Sequence, residues 1–276
     1  MNQINGSMPM QGFDLGGRVA LVTGGSKGIG RAIAQAFVTA GGSVAIAARD
    51  ADQVRTTSDE LGAGKGRVLA IVGDVAEDGD LERMVAETTA HFGGIDILVN
   101  NAATGDRRER ALVDYTRGGV DRVLKVNVWA PIRLMQLCRP IMARRGGGVI
   151  VNIASNAGNQ AAAGLGIYSP SKAAVMNLSD TIGAELASDG IRCVSVSPGI
   201  IRTELASRIV KAVEDGGLTP NPLGRVGEPE EVAALVLYLA SPAGSFATAT
   251  NYVIDGGELK KGPLRSSQSA NRASEK

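Results

Sequence analysis

Residues 167–174 read IYSPSKAA, which sets a tyrosine and a lysine four apart, Tyr168 and Lys172, where a helix is expected to begin. Residues at i and i+4 share one helical face, roughly 6 Å apart along the axis. A phenol with its ordinary pKa of about 10 is a reluctant proton donor or acceptor at neutral pH. An ammonium beside it favours the phenolate and would draw it toward the working range. The same spacing also suits a packed ring under a snorkelling amine, with Ser169 and Pro170 as an ordinary first helical turn. Thirteen residues earlier, Ser155 follows the apolar run GVIVNI. It reads either as a turn residue or helix cap, or as a second hydroxyl delivered to the same place as Tyr168.

The elements that must position these groups are legible as an alternation. Apolar runs RVALVT, SVAIAA, RVLAIV, IDILVN, GVIVNI, IRCVSVS and NYVID recur from residue 18 to about 255, rich in Val and Ile on both faces. Such runs fit parallel strands covered on both sides. Between them stand helix-length segments such as GIGRAIAQAFVTA, DLERMVAETTAHF, MNLSDTIGAELASD and EPEEVAALVLYLAS. The expected fold is a doubly wound α/β parallel sheet, a Rossmann fold of about seven strands with helices on both faces. One catalytic domain is expected over 15–259, with flexible tails at 1–14 and 260–276.

In such a sheet, ligands gather outside the carboxyl ends of the strands. After the first run comes TGGSKGIG, residues 23–30, and then a helix. Gly24, Gly28 and Gly30 would let the backbone turn tightly and let a pyrophosphate reach bare N–H groups at the helix start, beside Ser26, Lys27 and Ile29. The second run ends at Ala48 and Arg49, with no carboxylate at that end to accept from a free ribose 2′-hydroxyl. Arg49, with Lys27 nearby, suits a 2′-phosphate, so NADP(H) is favoured over NAD(H), although Arg49 also reads as a solvated strand-end charge next to Asp50. Asp74, ahead of Val75, would bond an adenine amino group or cap the next helix. Asn101 and Ala102 of VNNAA leave room for a flat cofactor and can fix the surrounding backbone.

Bulk properties narrow the partners. The 276 residues are 44% apolar, with 29 Lys+Arg against 28 Asp+Glu. That balance disfavours nucleic acid and an anionic membrane surface. No apolar run is as long as a membrane span, and MNQINGSMPMQG lacks the features of a signal peptide, so a cytoplasmic protein is expected. Cys138 and Cys193 sit in apolar or helical stretches without a CxxC spacing, and His91 is the one histidine. A His-rich metal site is thereby excluded, and no metal is expected. Residues 105–119, GDRRERALVDYTRGG, are basic and read as a solvated surface or a greeting for an acidic carrier.

Taken in order, TGGSKGIG, NNAA, Ser155, YSPSK at 168–172 and SPGIIRT at 197–203 resemble the short-chain dehydrogenase/reductase family. The likeness is to the kind that includes 3-oxoacyl-carrier-protein reductases and small carbonyl reductases, and it spans about residues 15–257. It implies a catalytic group of Ser155, Tyr168 and Lys172, with Asn127 of KVNVWAP as a fourth member. Tyr168 would give a proton to a ketone oxygen while the cofactor supplies hydride, and Ser155 would polarise that oxygen. Lys172 would also bind the nicotinamide ribose, Tyr168 would stand beside it, and Asn127 would help hold a proton-relaying water. Pro198, Gly199, Ile201 and Thr203 would contact the nicotinamide carboxamide and phosphates, and the segment beyond would cover the substrate. A homotetramer is implied, pairing through helices near 115–145 and 168–188. Three positions depart from the family pattern: Ala103, Pro170, and Ala249 where glycine is often found. An NAD-dependent alcohol or sugar dehydrogenase is the alternative within the family, and a non-catalytic NADP-binding sensor the alternative outside catalysis.

Overall fold

A computed structural model describes residues 10–62, 67–105 and 111–260. Residues 1–9 and 261–276 of the expected tails, and residues 106–110 of the basic stretch, lie outside the described residues, while Met10–Phe13 forms a short 3-10 helix whose Phe13 packs against Tyr238. Seven strands form one sheet: β1 (Val19–Thr23), β2 (Ser43–Ala48), β3 (Val68–Val72), β4 (Ile97–Asn100), β5 (Gly148–Ile153), β6 (Ile191–Pro198) and β7 (Thr250–Ile254). Every pairing is parallel, in the spatial order β3-β2-β1-β4-β5-β6-β7. All seven apolar runs become strands. The reversal of order between β1 and β4 opens the crevice in which a doubly wound sheet binds ligands.

The helices are α1 (Gly28–Thr39), α2 (Ala51–Gly62), α3 (Asp78–Phe92), α4 (Arg117–Leu124), α5 (Ala130–Arg144), α6 (Tyr168–Glu185), α7 (Ser207–Glu214) and α8 (Pro229–Ala240). Side chains alternate across each strand with period two, so the sheet feeds two cores. Ala20, Val22, Val44, Ile46, Val99, Val151 and Val194 pack with α1, α2 and α8. Leu21, Ala45, Leu98, Ile150 and Cys193 pack with α3 and α5 on the other face, where Ile182 of α6 joins them. Both faces are therefore dry, which is why the central strands lack the polar alternation of a half-exposed sheet.

The amino edge of the sheet is fastened by one carboxylate. Asp96, 3% exposed, accepts from the Val19 backbone N–H at 2.9 Å and from Arg145 Nε and Nη2 at 3.0 and 2.9 Å, with Arg18 Nη1 at 3.4 Å. The buried charge is thus paired and hydrogen-bonded, the condition under which burial is tolerated. The carboxyl edge is built differently, from glycines and short polar side chains.

Candidate active site

Glycine geometry shapes the loop after β1. Gly24 and Gly28 have φ of +63° and +54°, and a Cβ on Gly30 would stand 2.2 Å from the Gly24 carbonyl oxygen. Only hydrogen fits there, because backbone passes behind it. Asn101 Nδ2 donates to the carbonyls of Thr23 and Gly24 at 2.9 and 3.1 Å, and Thr23 Oγ1 accepts from the N–H groups of Asn101 and Ala102 at 3.1 Å each. Asn101 thus braces the loop rather than standing free in the cleft. The first turn of α1 has no side-chain cap and no acidic residue, in contrast to α8, where Glu228 and Glu231 form a capping box. Bare N–H donors at the positive end of a helix, reached over glycine, fit a dinucleotide pyrophosphate.

Around that cradle stand the other expected contacts. Ser26 is buried, and its carbonyl accepts from Thr57 Oγ1 at 2.9 Å, so it ties the loop to α2. Ile29 packs against the core on the α1 face. A Cβ on Gly28 would lie 3.2 Å from Thr203 Cγ2, and Lys27 forms an ion pair with Glu204, so residues 203–204 lie across the glycine loop. Gly199 accepts no Cβ because Asp255 lies against it, while Ile201 is buried in a bridge with Gly227. Pro198 ends β6.

At the ribose end, Arg49 is exposed, and its Nη1 lies 3.7 Å from Asp74 Oδ2. Asp74 Oδ1 accepts from Ala76 N at 2.9 Å, shaping the turn through Val75. The capping alternative for Asp74 does not hold: Glu77 occupies the N-cap of α3, without a side-chain bond. Asp74 instead makes a local turn three residues upstream and faces Arg49.

The reactive hydroxyls meet. Tyr168 opens α6, and its phenol comes within electrostatic reach of the Ser155 hydroxyl, which lies just past β5 in extended conformation, φ −169°. Lys172, one turn into α6 and 3% exposed, donates from Nζ to the Ile153 carbonyl at 2.7 Å and lies 5.7 Å from the centre of the Tyr168 ring. Burial raises the Tyr168 pKa above its ordinary value, with the nearby Ser155 hydroxyl pulling it back, and burial lowers Lys172 to about 8. The expected depression of the phenol by the ammonium is therefore corrected for the chain alone. Loss of water disfavours the charged form of each group, and Lys172 spends a hydrogen bond on the backbone instead.

Asn127 lies in a π-helical turn, Lys125–Trp129, wedged between α4 and α5. Its Oδ1 accepts from Thr104 N at 2.8 Å, and its Nδ2 donates to Thr104 O at 2.9 Å and Ser171 Oγ at 3.0 Å. Such one-turn widenings recur at functional sites. Asn127 thereby joins the cleft strand end to α6, bonding Thr104 and Ser171 rather than Lys172. Beneath it, Asn100 Nδ2 donates to Asn152 Oδ1, and Asn152 Nδ2 to Ser179 Oγ, both at 2.8 Å. Nothing in the sequence assigns a role to Thr23, Asn152, Ser171 or Ser179, since a single buried Ser, Thr or Asn carries no spacing signal, whereas Asn100 is expected, as part of VNNAA, to fix the backbone around it. The signal that existed was their polarity inside strands and on an inward helix face.

A family model described as enoyl-(acyl carrier protein) reductase matches residues 24–258. A short-chain type dehydrogenase/reductase from Mycobacterium marinum is 38% identical, with a TM-score of 0.85 over 91% of this chain and 99% of that one. L-Sorbose reductase from Gluconobacter frateurii, complexed with NADPH and L-sorbose, is 32% identical with a TM-score of 0.84, over 91% and 99%. A 7α-hydroxysteroid dehydrogenase complexed with NADH and 7-oxo glycochenodeoxycholic acid is 32% identical with a TM-score of 0.86, over 91% and 98%.

Proposed function

The chain belongs to the short-chain dehydrogenase/reductase family of Rossmann-fold oxidoreductases, and from that premise we propose an NADP(H)-dependent enzyme acting on a ketone or secondary alcohol, with Tyr168 as general acid and base. The observation that carries this reading is the convergence of Ser155, Tyr168 and a buried Lys172, its amine 5.7 Å from the centre of the Tyr168 ring, beside a glycine cradle of dinucleotide shape. Gly24, Gly28, Gly30 and the first turn of α1 would hold the pyrophosphate, and Thr203 would stand over it. When bound, the nicotinamide supplies or accepts the hydride.

The chain's own groups handle the proton. Ser155 holds the carbonyl oxygen and withdraws charge from it; Tyr168 delivers its phenolic proton to that oxygen in reduction and takes one back in oxidation. The phenolate left on Tyr168 is stabilised by the Ser155 hydroxyl. Lys172 then resupplies the proton, and a pKa of about 8 leaves it ready to do so near neutrality. Asn127 fixes the Thr104 backbone and α6, and so the floor on which a relaying water would sit.

Arg49 supports NADP(H), since a 2′-phosphate can displace the long 3.7 Å contact with Asp74, and a guanidinium matches phosphate with two parallel N–H donors. The substrate is read as a small carbonyl or a 3-oxoacyl compound, and the functional assembly as a homotetramer working in the cytoplasm. The test follows NADPH and NADH absorbance against ketones, 3-oxoacyl thioesters and secondary alcohols. Consumption of NADPH with a ketone is expected, and Arg49→Ala should weaken NADPH by about tenfold or more while barely changing NADH. Equal losses for both cofactors would remove the 2′-phosphate contact, and binding without turnover on any substrate would favour a sensor.

A further inference from the structure

The serine of the reactive pair does not sit on the sheet. Ser155 lies two residues beyond β5, and its Oγ accepts from Ala157 N at 3.2 Å as it caps the short turn Asn156–Gly158. On the inner side that turn is held by Ser169 Oγ, which donates to the Ala157 carbonyl at 2.6 Å, and by contact of Gly158 with the backbone of Lys172 and Ala173. On the outer side it is held from far along the chain. Asn156, itself buried, donates from Nδ2 to Glu258 Oε2 at 2.7 Å, across 102 residues.

Glu258 is delivered by a turn that touches three of the segments around the cleft. The Asp255 carboxylate accepts from Gly257 N and Leu259 N at 2.8 Å each, fixing the short 3-10 helix Glu258–Lys260. A Cβ on Gly199, in the Pro-Gly turn, would stand 2.8 Å from Asp255 Cα, and one on Gly256 would stand 2.7 Å from Asn221 Cγ in the covering segment. The turn after β7 therefore joins the serine's loop, the Pro-Gly turn and the cover of the cleft.

We infer that Glu258 is a positioning residue for Ser155, acting through Asn156, so that the carboxy-terminal turn sets where the serine hydroxyl stands. This rests on the reading of Ser155 as the group that holds the carbonyl oxygen. A hydrogen bond to an ionised acceptor is stronger and more directional than one between neutral groups. Reacting groups need placement within about 0.5 Å, and a misplacement of about 1 Å costs on the order of 100-fold in rate.

The test compares Glu258→Ala with Glu258→Gln in the full chain, using NADPH and the best ketone of the panel. Glu258→Ala should lower kcat about tenfold with the NADPH dissociation constant unchanged, because the serine is displaced and the cradle is not. Glu258→Gln keeps an acceptor oxygen for Asn156 and should recover to within about threefold of the parent rate. Hydrogen–deuterium exchange of the peptide covering 154–159 should quicken in the alanine variant and return toward normal in the glutamine variant, with or without turnover. An unchanged kcat in Glu258→Ala, unchanged exchange, or a glutamine variant as impaired as the alanine variant would overturn the inference. Failure of the parent reading looks different: Tyr168→Phe would then turn over normally, while exchange at 154–159 still answers to Glu258.

Discussion

Lys172 carries the largest electrostatic cost in the cleft. Its pKa falls from 10.5 to about 8 because burial penalises the ammonium. A base whose folded pKa lies below its unfolded value binds its proton more readily when unfolded, so stability rises with pH between the two values. Below pH 8 the penalty is fully present, of order 3 kcal/mol at 1.36 kcal/mol per pKa unit. The stability of Lys172→Met relative to the parent should accordingly be most favourable below pH 8, and the gap should narrow as pH rises from about 8 to 10.5 and level off above it. Denaturant melts of both proteins across that range read it directly; a gap that is flat with pH would mean the amine keeps its ordinary pKa. Ser155→Ala removes the hydroxyl beside the phenol that holds the carbonyl oxygen. Loss of one such donor costs on the order of 100-fold in kcat, measured by turnover at saturating cofactor, and a loss under threefold would assign Ser155 to capping alone.

At the scale of elements, backbone conformation explains what the sequence could and could not reveal. TGGSKGIG was legible because a tight loop between strand and helix demands glycine, and a Cβ at Gly30 would meet the Gly24 carbonyl at 2.2 Å. Gly30→Ala should therefore weaken NADPH binding at least tenfold by forcing the loop open, a change visible in cofactor fluorescence titration. The strands were legible as runs of Val and Ile, whereas the π-turn around Asn127 was not, since an added residue in a helix leaves the period of the flanking turns intact. Helix α7 lies inside a segment expected only to cover the substrate; eight residues with one buried side chain give little periodicity to detect. Ala249 illustrates the converse. The departure from glycine was visible, and its cost appears only in the structure, where Ala249 takes φ +50°. Ala249→Gly should raise stability by about 0.5–1 kcal/mol, the relief of left-handed strain less the entropy that glycine adds to the unfolded chain. An unchanged or lowered melting temperature would mean that the alanine methyl makes compensating contacts.

Across the whole molecule, stability and chemistry are concentrated at opposite edges of one sheet. Asp96 holds β1, Arg18 and Arg145 together at the amino edge, far from the glycine loop, which leaves from the carboxyl end of β1. Asp96→Ala leaves two arginines and a backbone N–H without their acceptor and should cost about 3 kcal/mol, with kcat little changed at temperatures where the variant stays folded. A large fall in kcat at full folding would show that the two edges are coupled. The carboxyl edge gathers residues from six strand ends and two helix starts, which is why single motifs spoke weakly and their order spoke strongly. The measurement that bears most directly on the whole is Tyr168→Phe, assayed for ketone-dependent NADPH oxidation and, separately, for NADPH binding. The proton-delivery account predicts turnover reduced by about 1,000-fold or more, with cofactor affinity within about threefold of the parent; turnover near the parent rate in the phenylalanine variant would contradict it.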